Sequence, residues 1–287
     1  MTDEFEELNR RHEISRAYSF SQKDFRRQFK INIPIGVCSG LVQVWWSELQ
    51  KGNDGIKCLK EATPKLVGDV LLSQARSFYL NEFPPLNREL RTSEVKLLDF
   101  KYGDHQVPRI ESLYRLLGVT NCLELDLVLL HGAPIIKRWQ FSHLASDIVN
   151  ALRESGWPGL YMLLTRFWHR KQVSGETGHQ GHRLALAIDA AGACRFYDPR
   201  RGEVSFSTFD QFTDWFTDYW TTERWDYYLQ RGFPAAVPIQ LFALGGSFSS
   251  AAREAIKDLQ QRFSTSSLNV EELSTWLDGL RSNTALP

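Results

Sequence analysis

Cys38, His182 and Asp198 are the residues of this chain whose types and spacing could carry covalent chemistry. A thiol attacks carbonyl carbon only as its thiolate. An imidazole can take and return the proton, and a carboxylate can hold that imidazole in the tautomer that leaves its other nitrogen to the thiol. Cys38 stands in Gly36-Val37-Cys38-Ser39-Gly40, followed at helical spacing by Leu41, Val42, Trp45 and Leu49. It is therefore expected at or near a helix N-terminus, where the partial positive charge of backbone N–H groups favours a thiolate. Pro34 and Gly36 mark an irregular approach to that helix, and Asn32, six residues before the cysteine, could donate its side-chain amide to a developing oxyanion.

His182 opens Gly181-His182-Arg183-Leu184-Ala185-Leu186, and is expected at the start of an alternating strand, with its ring at a sheet end. His179 is its competitor, but only His182 continues the strand register. Asp198 closes Arg195-Phe196-Tyr197-Asp198-Pro199, 198 − 182 = 16 residues after the histidine. Across a hairpin that separation lets the carboxylate reach the imidazole. Taken singly, each residue has an ordinary reading: a small buried hydrophobe, a loop histidine, a turn aspartate before proline. Three such coincidences in order are less probable than one site.

Competing chemistries lack their parts. The chain has no Gly-x-x-x-x-Gly-Lys, Gly-x-Gly-x-x-Gly or His-Glu-x-x-His sequence. His169, His179 and His182 fit no standard zinc module, so no metal or other cofactor is expected. Cys38, Cys58, Cys122 and Cys194 are sparse and contain no Cys-x-x-Cys pair, which points to reduced thiols rather than a disulfide framework.

The elements that must position these groups are readable from period. Phe141, Leu144, Ala145, Ile148, Val149 and Leu152 predict a core-facing helix behind a Ser142 cap, and further helices are expected around Val107–Leu117, Phe209–Tyr219 and Val270–Leu280. Alternation over Leu184–Ile188, a turn at Ala190–Gly192 and Cys194–Tyr197 predict a hairpin, with other strands at Cys122–Leu130, Leu160–Phe167, Asp226–Leu229 and Val237–Ala243. Helices dominate the first half and strands the second, which argues an α+β fold. The Gly245–Ser250 stretch is the nearest thing to a linker, and the residues after it are expected to form a helical cap.

Thirty-four basic side chains balance thirty-four acidic ones with no basic stripe, so nucleic acid is not an expected partner. No apolar run approaches the roughly 20 residues of a membrane-spanning helix. The first thirty residues mix charges without the apolar segment of an ordinary signal peptide.

At the three motifs the sequence resembles the YopT/AvrPphB-type cysteine proteases, papain-like bacterial effector enzymes with Gly-x-Cys at a helix start, Gly-His-x-x-Ala opening a strand and Phe-x-Asp-Pro closing the next. Here these read Gly36-Val37-Cys38, Gly181-His182-Arg183-Leu184-Ala185 and Phe196-Tyr197-Asp198-Pro199. The resemblance implies a papain-like fold with Cys38 as nucleophile, His182 as general base and acid, Asp198 as orienting carboxylate and Asn32 beside the Cys38 amide as oxyanion donor. It divides the chain into an N-terminal extension (1–30), a catalytic domain (31–245) and a C-terminal helical cap (246–287). The interval of 182 − 38 = 144 residues is long for the family and implies an insertion between Asn53 and Trp157. The implied activity is proteolysis of a protein substrate in a host or competing cell, by an enzyme made in the bacterial cytoplasm and delivered as an effector or toxin by a specialised secretion system. Glutamine deamidases and transglutaminases use the same three roles, and a degenerate relative could serve only as a binding protein; both alternatives stay open.

Overall fold

The structure, a computed structural model, describes residues 4–31, 36–81, 115–119, 124, 128, 134–141, 145–156, 158–170, 177–220, 239–245 and 247–264. Its contacts divide the chain into two units, one of residues 1–21 with 136–244 and one of 22–135 with 245–287.

The first unit is built on a sheet. Strands β1 (Arg16–Ser19), β2 (Ile135–Phe141), β3 (Gly159–Arg170), β4 (Thr177–Ile188), β5 (Cys194–Asp198), β6 (Gly202–Phe206) and β7 (Ile239–Leu244) lie in the order β1-β6-β5-β4-β3-β7-β2. Every pairing from β1 across to β7 is antiparallel. Side chains alternate between faces, so Leu184, Leu186 and Ile188 of β4 share one face, and Cys194 and Phe196 of β5 sit with them. Helices α1 (Glu4–Arg11), α6 (Ala145–Ser155) and α7 (Phe209–Asp218) contribute Phe5, Leu8, Ile148, Leu152, Phe212, Trp215 and Phe216 to the same core. The opposite face is buried as well at Met162, Leu164, Ala185 and Tyr197, so β3 and β4 are central strands rather than a half-solvated pair.

Residues 4–19 are part of this unit. Phe5 and Leu8 of α1 are in the core, and β1 pairs along β6 with Tyr18 opposite Glu203 and Ser19 opposite Gly202. Gly202 has φ +127°, and a Cβ there would lie 1.9 Å from the Tyr18 carbonyl oxygen, so only glycine lets β1 come this close.

The second unit contains α2 (Gln22–Gln28), α3 (Cys38–Gln50), α4 (Gly55–Lys60), α5 (Pro64–Asn81) and α8 (Ser250–Ser264). Residues 38–48 of α3 are buried on every side, the mark of a helix enclosed by its neighbours rather than lying on a surface. Gly40 makes its contact with α5 possible: a Cβ would lie 1.9 Å from the Val70 carbonyl oxygen.

The expected hairpin, the strand at Leu160–Phe167, the strand beginning near Val237 and the helix at Phe209 are all present, in a mixed fold of helices and an antiparallel sheet. Three expectations need correction. Phe141 ends β2, so the stripe beginning there belongs partly to a strand, and the helix starts at Ala145. Glu124 and Val128, inside the expected strand Cys122–Leu130, are helical. Strand β4 begins at Thr177, five residues earlier than the alternation indicated, because its N-terminal half is polar and glycine-containing while paired to β3. Ser142, most of Val107–Leu117, Asp226–Leu229 and Val270–Leu280 lie outside the described residues.

Candidate active site

The register of the β4–β5 hairpin brings His182 and Asp198 together. Leu186 stands opposite Phe196 and Ala185 opposite Tyr197. Continued one step, that register sets Asp198 opposite Leu184, so His182, two residues along the same face, is its diagonal neighbour. The hairpin turn is held by Asp189, whose Oδ1 accepts the N–H groups of Ala191 and Ala193 at 2.9 Å each. His182 is interior to β4 rather than at its start, paired on one side with Thr165 of β3, yet β5 ends at Asp198, so on that side the imidazole stands where its neighbouring strand gives out.

His182 Nε2 lies 2.8 Å from Asp198 Oδ1. An ionised carboxylate only accepts, so the imidazole carries its proton on Nε2 and donates it. The pair is buried, with His182 5% and Asp198 1% exposed. A buried carboxylate needs donors, and Asp198 has two more: the Arg200 N–H at 2.9 Å on Oδ1 and the Tyr219 hydroxyl at 2.6 Å on Oδ2. The Arg200 contact, with the Arg201 N–H donating to the Asp198 carbonyl at 3.0 Å, is an aspartate-nucleated turn. Asp198 therefore serves both as the turn residue its Pro199 context suggested and as the partner of the histidine.

Tyr219 directly follows α7. Thr208 caps that helix by accepting the Gln211 N–H at 3.1 Å, while the Gln211 side chain accepts the Ser207 N–H at 3.1 Å. Helical spacing stacks Tyr219 on Trp215, with ring centroids 4.9 Å apart and planes 9° from parallel. Its edge-on neighbours are Phe196 at 5.2 Å and Phe5 of α1 at 6.2 Å.

Cys38 belongs to the other unit and is the first residue of α3, as its sequence context predicted. It is 6% exposed. Val37, the cap residue, supplies no side-chain acceptor. The acceptor comes from α5: Gln74 Oε1 takes the N–H of Ser39 at 2.8 Å and that of Gly40 at 3.3 Å. Gln74 is one turn beyond Val70, the residue that Gly40 allows close, so the small residue and the cap are two consequences of one packing contact. The approach to the cysteine is tied back by Gln22, whose Oε1 accepts the Val37 N–H at 3.2 Å. Asn32 lies outside the described residues.

The other described thiols are poor nucleophiles. Burial, with Asp189 nearby, pushes the Cys194 thiol from its ordinary 9.0 up to about 12. Burial and the charge of Glu48 also raise Cys58. Both therefore stay protonated at neutral pH. Among the described residues no group of three or more His, Cys, Asp and Glu side chains could hold a metal ion, and no helix is long and apolar enough to cross a membrane.

The sequence reading pairs His182 with Asp198 and sets Cys38 at a helix start, and the 2.8 Å contact and the first position of α3 match those two placements. It did not identify Tyr219, which lay in a stripe read as core, or Gln74, Gln22 and Gly40, whose roles depend on long-range contacts that leave no local pattern.

No family model and no curated protein sequence matches the chain. Among solved structures, the Pseudomonas avirulence protein AvrPphB is similar over 80% of this chain and 98% of its own, at 13% identity and a TM-score of 0.42. PatoxP, a cysteine protease-like domain of the Photorhabdus asymbiotica toxin PaTox, is similar over 94% of this chain and 64% of its own, at 10% identity and a TM-score of 0.39.

Proposed function

We propose that this chain is a cysteine protease of papain-like type that cleaves a protein substrate through Cys38, His182 and Asp198. The observation that carries the reading is the buried His182–Asp198 pair, with Nε2 committed to the carboxylate at 2.8 Å. In this reading Nδ1 is the ring nitrogen that serves the thiol. Support comes also from Cys38 standing first in a helix whose dipole favours the thiolate.

In this mechanism the Cys38 thiolate attacks a peptide carbonyl carbon, and the carbonyl π electrons move onto oxygen. The Cys38 backbone N–H and the Asn32 amide stabilise that oxyanion. His182, protonated when the thiolate forms, returns its proton to the leaving amine as the C–N bond breaks. It then takes a proton from the water that hydrolyses the thioester, and the thiol is regenerated. Asp198 stays ionised throughout and holds the ring in register. By the motif resemblance, the enzyme is a bacterial effector or toxin whose substrate belongs to a host or competing cell.

The test is incubation of the full chain and its Cys38→Ala variant with a eukaryotic or bacterial proteome, followed by mass spectrometry of new N-termini. New N-termini that depend on Cys38 support the reading. A side-chain gain of about one dalton would assign deamidation, an amine adduct transglutamination, and equal cleavage by the variant would end the proposal.

A further inference from the structure

The two oxygens of Asp198 meet different partners. Oδ1 faces His182 and the Arg200 N–H, while Oδ2 receives the Tyr219 hydroxyl at 2.6 Å, and tyrosine and aspartate are each no more than 1% exposed. A phenol donor of this length to a buried carboxylate draws charge toward Oδ2 and away from the oxygen that holds the imidazole. The ring has little freedom to leave, being stacked on Trp215, edge-on to Phe196 and Phe5, and in tilted contact with Phe216. The support extends outward, because the Trp215 Nε1 donates to Asn9 Oδ1 of α1 at 2.9 Å.

We propose that Tyr219 is a positioning residue for the His182–Asp198 pair, its hydroxyl fixing the carboxylate and moderating the pull of Oδ1 on the imidazole proton. The inference rests on the reading of His182 and Asp198 as site residues, but concerns only the pair. Substrate never touches Tyr219 in this scheme; it acts through Asp198, which acts through His182.

Its consequence has a definite sign. Without the hydroxyl, Asp198 keeps its charge on fewer donors, Oδ1 becomes a stronger acceptor, and the charged imidazolium is favoured over the neutral ring. The midpoint of His182 therefore rises. Charged and titratable groups on the surrounding elements include Arg11 at the end of α1 and His12 just after it, Asp218 at the end of α7, Arg183 of β4, Arg195 and Tyr197 of β5, Glu203 of β6, and Arg200 and Arg201 after β5. All remain when only the hydroxyl is removed, so the comparison isolates it.

The experiment is NMR titration of histidine-labelled full chain carrying Cys38→Ala, so that no thiolate perturbs the ring, with His182 assigned by the loss of its signal in His182→Gln. Tyr219→Phe should raise the His182 midpoint by about half a unit to one unit. A second protein guards against a folding defect: 3-fluorotyrosine at position 219 keeps the ring and strengthens the donor, and should lower the midpoint. Opposite shifts support the proposal. Identical behaviour in all three proteins, including a ring that titrates in none of them, overturns it. A protein with no proteolytic activity would still give this answer, so failure of the protease reading and failure of this inference are separable.

Discussion

Replacing Gln74 by leucine removes the one acceptor that serves the Ser39 and Gly40 N–H groups while keeping side-chain volume near that of glutamine. Both donors are in a buried helix turn, and the cap residue Val37 offers no side chain to replace the lost oxygen. A buried donor left without a partner costs about 1–3 kcal/mol, and the longer of the two contacts contributes less, so the gross loss is about 2–4 kcal/mol. Burying leucine in place of the amide offsets roughly 1 kcal/mol of that. The net expectation is a destabilisation of about 1–3 kcal/mol. Urea unfolding followed by tryptophan fluorescence is a suitable assay, since Trp45 and Trp46 are buried in α3 itself. A change below about 0.5 kcal/mol, the range of ordinary surface substitutions, would refute the claim that Gln74 caps the cysteine helix.

Gly40→Ala should be more damaging than its conservative chemistry implies, because its Cβ would lie 1.9 Å from the Val70 carbonyl oxygen. Helices α3 and α5 would have to separate, and the same unfolding assay should register at least the ~1–3 kcal/mol of an overpacked core. Asn9→Ala removes the acceptor of the buried Trp215 Nε1 and should cost about 1–3 kcal/mol, read by the same method; an unchanged midpoint would deny this hydrogen bond a part in fastening α1. Cys194 gives a pH prediction. Its folded value of about 12 lies above the ordinary 9.0, so on raising pH the unfolded chain releases this proton first. The stabilisation is fully present below about 9 and is lost as pH rises toward 12. Cys194→Ala should therefore flatten the alkaline fall in stability, and an equally steep fall in the variant would contradict the assignment.

What the sequence revealed here was local. The hairpin was legible because Leu184, Leu186 and Ile188 alternate and Gly192 closes a turn, and once the hairpin exists its register brings His182 and Asp198 together. The helix after Cys38 was legible from Leu41, Val42 and Trp45. Strands β1, β2 and β6 were missed for physical reasons. The first is four residues long and exposed, its place fixed by partner strand β6 and by Gly202 rather than by its own pattern. Phe141, the last residue of β2, also fits the stripe of the following helix. The sixth, Gly202–Phe206, follows a turn whose signals dominate the local sequence. The supports of the site were invisible for a related reason. Gln74 is 74 − 38 = 36 residues from the cysteine whose helix it caps, and Tyr219 is 219 − 198 = 21 residues from the carboxylate it meets, so neither pairing has a period to read.

The proposed protease depends on the Cys38 thiol and the His182 imidazole titrating as a working pair. It is tested most directly by the rate of iodoacetamide alkylation at Cys38, followed by peptide mass spectrometry as a function of pH in the parent chain and in His182→Ala. In the parent protein Cys38 should be alkylated well below the ordinary thiol range, and in the variant that low-pH reactivity should be gone. Superimposable pH profiles for the two proteins would contradict it.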